Sequence, residues 1–161
     1  MTTTLRHREL RPDLERLRQW ADEIGVVHLD TVRQRLSAAN ELLMTRLLPH
    51  ALAEDEILYP AVRDFVGEQA TLMLQRDHGE MLKLTAELNA LRRAACADEV
   101  GPRFAVEARR ILYGLYMLAD LHFEKEDEIV LPVLDARCSL AETADLNSAM
   151  ERAAARIKAE A

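Results

Sequence analysis

Apolar residues recur at spacings of three and four along nearly the whole chain, the period of an amphipathic helix, and no segment alternates as a half-buried strand does. Breakers divide the pattern into five runs. The first, about 5–24, carries Leu10, Leu14 and Leu17 and ends at Gly25. The second starts after Asp30, a suitable N-cap, and continues through Leu36, Leu43 and Leu47 to about 65, where Gly67 closes it. The third, about 69–95, is marked by Met81, Leu82, Leu88 and Leu91, and the turn 98–102 separates it from the fourth, about 103–136. Ser139 and Glu142 form a capping-box pattern that opens a fifth run, about 140–159, with a thin apolar stripe of Leu140, Ala144, Met150 and Ile157. The expectation is an all-α fold: an up-down-up-down four-helix bundle over 1–137 and an accessory C-terminal helix over 138–161 packed on its outside. Pro12 and Pro49 fall inside predicted helices and should kink or delimit them, and Pro60 and Pro132 should bend the second and fourth runs late.

The polar residues of the predicted core repeat. His50 to Pro60 matches His122 to Pro132 at six of eleven positions: His, Glu, Asp, Glu, Ile and Pro. His7-Arg8-Glu9-Leu10 resembles His78-Gly79-Glu80-Met81, and the offsets from His7 to His50 and from His78 to His122 are 43 and 44 residues. A fixed offset of this kind indicates a duplicated helical hairpin. Residues four apart share a helix face, so His50 and Glu54 lie one turn apart on the stripe of Leu43 and Leu47, and His122 and Glu126 lie on that of Leu115 and Ala119. Buried imidazoles and carboxylates without partners are costly, so something must compensate them.

Distances to the turns bring these groups to one level. His7 and His50 lie 21 and 22 residues from a turn near His28, and His78 and His122 each lie 22 residues from a turn near residue 100. At about 1.5 Å rise per residue all four sit roughly 30 Å from that end of the bundle. His28 falls in the turn itself and is expected at the surface. A competing assignment places His28 on the metal and leaves His7 in a frayed terminus; the repeat spacing favours His7.

The set of His7, HxxxE at His50 and Glu54, His78, and HxxxE at His122 and Glu126 resembles the hemerythrin-like family, also called HHE cation-binding domains, over roughly residues 5–137. The resemblance implies a non-haem centre of two iron ions bridged by two carboxylates and a solvent-derived oxygen, with members that carry, sense or reduce dioxygen, handle nitric oxide or iron, or decompose hydrogen peroxide. Mixed imidazole and carboxylate donors suit iron, manganese or zinc on their own chemistry, and helix-bundle cores host carboxylate-bridged dimetal sites. The expected metal ligands are His7, His50, Glu54, His78, His122 and Glu126, with Glu54 and Glu126 bridging and no catalytic residue beyond the ligands. Four histidines can be placed where the family's oxygen carriers have five. The expectation is therefore a diiron protein decomposing hydrogen peroxide in a catalase-like reaction. The alternative is an oxygen, nitric oxide or iron binding or sensing module without turnover.

The neighbouring groups have blander expectations. Asp55, Glu56, Asp127 and Glu128 belong on solvated faces, with room for one to hydrogen-bond a ligating imidazole. Tyr113 and Tyr116 belong in the core, and Tyr59 could do either. Composition then narrows the partners. A net charge of −7 argues against a nucleic-acid surface, and no stretch reaches the length of a membrane span. Small molecules (dioxygen, hydrogen peroxide or nitric oxide) are the expected partners, for a monomer or homodimer. No signal peptide is visible at the polar N-terminus, and Cys96 and Cys138 form no CxxC pair, so two free thiols in the cytoplasm are expected.

Overall fold

A computed structural model of the chain describes residues 7–160. Helix α1 spans His7–Glu23, α2 spans 29–66, α3 Glu68–Cys96, α4 Phe104–Arg137 and α5 Leu140–Glu160, and no strand occurs among the described residues. Helices α1 to α4 form the expected four-helix bundle, in which α1 and α3 pack most extensively on α4, and α5 is the additional C-terminal helix. Leu5 and Arg6, predicted to begin the first helix, lie outside the described residues.

Local chemistry sets the helix ends. Gly25 and Gly67 adopt φ of 95° and 98°, the region that glycine enters without a Cβ penalty, and so stop α1 and α2. The start of α2 differs from expectation. His28 is the extended N-cap residue and Asp30 lies in the first turn, where its carboxylate favours the helix dipole and accepts a 2.8 Å hydrogen bond from Arg33. Ser139 and Glu142 form the capping box of α5: Ser139 N donates to Glu142 Oε2 at 2.8 Å and Glu142 N donates to Ser139 Oγ at 3.3 Å.

Helix α2 is interrupted by two π-turns, Leu43–Leu47 and Glu54–Leu58, which end just before Pro49 and Pro60. Proline has no N–H to return to the carbonyl four residues back, and its ring crowds that carbonyl. A wider turn ahead of each proline accommodates both effects without breaking the helix. Pro12 sits inside α1, and Pro132 sits inside an α4 that is α-helical throughout, so the paired irregularity expected at Pro60 and Pro132 occurs only at Pro60.

The core divides along the bundle. Leu14, Leu17, Leu36, Leu43, Leu47, Met81, Leu88, Leu112, Leu115 and Phe123 belong to one cluster, and Leu58, Tyr59, Val62, Leu74, Val130 and Leu134 to a second. On α2 and α3 the repeated His and Glu residues lie between the two clusters in sequence, on α4 Glu126 does so, and α1 contributes to the first cluster. Helix α5 packs along residues 43–58 of α2, the stretch that contains both π-turns. Its buried face is Met150 and Ala153, flanked by half-buried Leu146 and Ile157. Of the predicted stripe, Met150 and Ile157 lie on this face, whereas Leu140 is 75% exposed and Ala144 is also exposed. Both cysteines are free, Cys96 exposed and Cys138 half-buried.

Candidate metal centre

Each of the four bundle helices delivers part of one buried polar cluster. Helix α1 contributes His7, α2 contributes His50 and Glu54 from either side of its second π-turn boundary, α3 contributes His78, and α4 contributes His122 and Glu126. All six are buried, and Glu54, His122 and Glu126 are fully so. His28 is exposed at the far turn, so the structure separates it from the cluster and keeps His7 within it.

Two triads meet at one carboxylate. His7, His50 and Glu54 present donor atoms all within 4.8 Å of one another, and so do Glu54, His78 and His122. His50 Nε2 lies 2.9 Å from Glu54 Oε1, and His78 Nε2 lies 3.4 Å from Glu54 Oε2. Glu126 spans the other side, with Oε2 at 3.0 Å from His7 Nε2 and 3.4 Å from His122 Nε2.

The alignment of these atoms is informative. His7 Nε2, His50 Nε2, both oxygens of Glu54 and Glu126 Oε2 are buried and make no hydrogen bond, although several lie at hydrogen-bonding distance. Donors that approach this closely without aligning on one another are arranged for a common cation. His78 Nε2 and His122 Nε2, by contrast, share a hydrogen bond at 2.8 Å, two imidazole nitrogens turned to the same point of the cluster.

Electrostatics favours a cationic occupant. Burial pushes the His7 imidazolium down, but Glu126 and Glu54 outweigh it and raise its pKa to about 10. Burial likewise opposes charging of His78, and Asp55 with Glu54 lifts it to about 9. His122 is raised against burial by Asp77 and Glu126. Burial alone would raise Glu54, yet His50, His7 and His78 hold it well below the carboxylate range. Glu126 is also lowered, since His122 and His7 outweigh burial and the repulsion of Glu54. Without metal, the two carboxylates are thus neutralised by protons on the imidazoles.

A surrounding set of aspartates fixes the rings. Asp127 Oδ1 accepts from His7 Nδ1 at 2.8 Å, Asp55 Oδ1 from His78 Nδ1 at 2.9 Å, and Asp77 Oδ2 from His122 Nδ1 at 3.1 Å. Each bond leaves Nε2 facing the cluster, which is the usual way a carboxylate orients a ligating imidazole. Asp55 and Asp127 were expected on solvated faces. They instead turn inward from the two HxxxED repeats, each to a histidine of another helix, while Glu56 and Glu128 remain exposed. Asp77 gave no signal in the repeat, because the residue before His7 is Arg6.

Tyr59 also enters the site. Its buried hydroxyl donates to Glu126 Oε1 at 2.7 Å and lies 3.3 Å from His122 Nε2. Burial and the nearby Glu126 and Glu54 charges push its pKa far up, so it is a phenol in the metal-free cluster. Tyr113 and Tyr116 are partly buried against the main core, with Tyr113 donating to Asp22.

The family model for the hemerythrin HHE cation binding domain matches residues 3–134. The chain belongs to the hemerythrin HHE cation-binding family. No curated protein and no solved structure matches it. Two adjacent His/Glu clusters that share Glu54 are the arrangement of a hemerythrin-type diiron site, suited to small molecules such as dioxygen. No described helix of this hemerythrin-family chain is long and apolar enough to cross a membrane.

Proposed function

We propose that this protein holds two iron ions between His7, His50, Glu54, His78, His122 and Glu126, and that it binds a small oxygen or nitrogen species there. The observation that supports this most is the sharing of Glu54 by two triads, with both Glu54 oxygens, His7 Nε2 and His50 Nε2 buried and making no hydrogen bond. Bound iron would supply Lewis acidity and one-electron steps at positions that these six residues do not fill. The chain's part is to hold the ions, exclude water and place a proton. The aspartates keep three imidazoles in register, the two hydrophobic clusters seal the site above and below, and Tyr59 presents an O–H within it. Residues 1–137 then form the hemerythrin-like domain and 138–161 an accessory unit.

A second reading, decomposition of hydrogen peroxide, is favoured by Tyr59. Peroxide chemistry needs protons moved in a site closed to bulk water, and the Tyr59 hydroxyl beside Glu126 can give and recover one. Stopped-flow measurement distinguishes the readings. Iron-loaded protein that forms a spectrally defined adduct with dioxygen or nitric oxide, with peroxide consumed no faster than by free iron, supports binding alone. Oxygen release from peroxide in proportion to iron content supports turnover. Failure to form any adduct with dioxygen, nitric oxide or peroxide sinks both.

A further inference from the structure

Three of the four cluster imidazoles have an aspartate on Nδ1, and His50 does not. Among the described residues no carboxylate meets His50 Nδ1. The duplication explains the gap: Asp77, which holds His122, directly precedes His78, but the residue preceding His7 is Arg6. His50 instead lines a cavity of about 470 Å³ between α1, α2 and α5. It is also the most exposed of the four, at 8% against 2% or less for the others. With Nε2 turned onto Glu54, Nδ1 lies on the ring edge away from that carboxylate, in a residue that lines the cavity.

The cavity is of ligand size. Leu10, Pro49, Ala53, Met150 and Ala154 give it an apolar lining. Its outer wall is α5, which lies beyond the matched residues 3–134, so the accessory helix creates it. Charges of both signs stand at its edge. Glu9 and Glu151 are acidic, and Arg46 is engaged by Asp13 at 3.1 Å. Lys158 meets no carboxylate among the described residues.

We propose that this cavity binds a short-chain monocarboxylate, whose head accepts the hydrogen bond from His50 Nδ1 and whose tail lies against Met150 and Ala154. The ligand supplies for His50 what Asp127, Asp55 and Asp77 supply for the other three histidines. Carboxylate is the acceptor this chain uses each time, and Lys158 is the cation on hand to attract it. Once bound, it makes His50 a stronger and better-oriented donor, so the accessory helix couples a small metabolite-like acid to the metal centre. That consequence rests on the two-iron reading, but binding in the cavity does not.

Calorimetric titration of the full-length iron-loaded protein with sodium butyrate tests it, with butyramide as the uncharged probe and the metal-free protein as a parallel sample. One butyrate should bind per chain in both samples, with Lys158→Ala weakening it about tenfold and Ala154→Trp, which fills the cavity, removing it. In the iron-loaded wild type, butyrate should also shift the charge-transfer bands and slow iron loss to a chelator, and Ala154→Trp should remove both effects at unchanged iron content. No heat with butyrate up to roughly tens of millimolar overturns the proposal, as does butyramide binding as tightly as butyrate. Binding that Ala154→Trp leaves intact and azide displaces puts the acid on iron and overturns it as well. Butyrate binding in a protein that takes up no iron upholds the cavity site while the metal reading fails.

Discussion

Asp127 accepts a hydrogen bond from His7 at 2.8 Å although the two residues are 120 positions apart. The bond ties the first turn of α1 to α4, and Arg11 steadies the same carboxylate from one turn further along at 3.1 Å. Asp55 does the same for His78 from the other repeat. Removing either should lower metal affinity by about 10–100-fold without unfolding the bundle, because the ring loses its orientation and some basicity. Chelator competition on Asp127→Ala and Asp55→Ala measures this, with Glu56→Ala and Glu128→Ala as exposed controls. Equal affinities in all four variants would mean the aspartates are incidental.

Tyr59→Phe removes only the hydroxyl that donates to Glu126. Helix content should be retained and the visible bands of the iron-loaded protein should change, because that oxygen lies 3.3 Å from His122 Nε2. If the protein turns over peroxide, the rate should fall by at least about tenfold, the scale of a lost proton donor. An unchanged spectrum and rate would remove Tyr59 from the site's chemistry.

Metal uptake should release protons. His7, raised to about 10, and His78, raised to about 9, are both protonated at neutral pH in the metal-free chain. A cation must displace those protons, so apparent affinity rises with pH through the neutral range and levels off as pH passes about 9 and then 10. Calorimetry of iron binding in buffers of different ionisation enthalpy reads the release directly. A pH-independent affinity between pH 6 and 9 would show that the imidazoles are already neutral.

Phe123 stacks on the His7 ring with centroids 4.2 Å apart and planes 10° apart, and is fully buried in the main core. Phe123→Ala should destabilise the protein by about 3–5 kcal/mol in denaturant unfolding, the cost of an aromatic-sized cavity. It should also weaken metal binding, since His7 loses the surface that holds its ring. A loss below about 1 kcal/mol would mean the core closes over the space.

The bundle and its six inward polar residues were legible in the sequence because two regularities coincide there. The helical period places His50 with Glu54 and His122 with Glu126 on apolar stripes, and the 43- and 44-residue offsets bring His7 and His78 to the same level. Side-chain roles set by another helix were not legible. Asp55 and Asp127 look solvated along their own helices, and only the packing of α3 and α1 turns them inward. The π-turn Glu54–Leu58 shifts the face of α2 between His50 and Tyr59, and Tyr59 is buried beside Glu126 while its repeat counterpart Leu131 is only half-buried. The N-terminal half of the α5 face was misplaced because its stripe is thin: contact with α2 buries Met150, as expected, and Ala153, but leaves Leu140 and Ala144 exposed.

The proposed centre places two metal ions on either side of Glu54. Anomalous scattering at the iron edge from crystals of iron-loaded protein tests it most directly, since it gives identity, number and place together. Two iron peaks per chain are expected, one among His7, His50 and Glu54 and one among Glu54, His78 and His122. A single peak, no peak within the bundle, or a peak at His28 would contradict it.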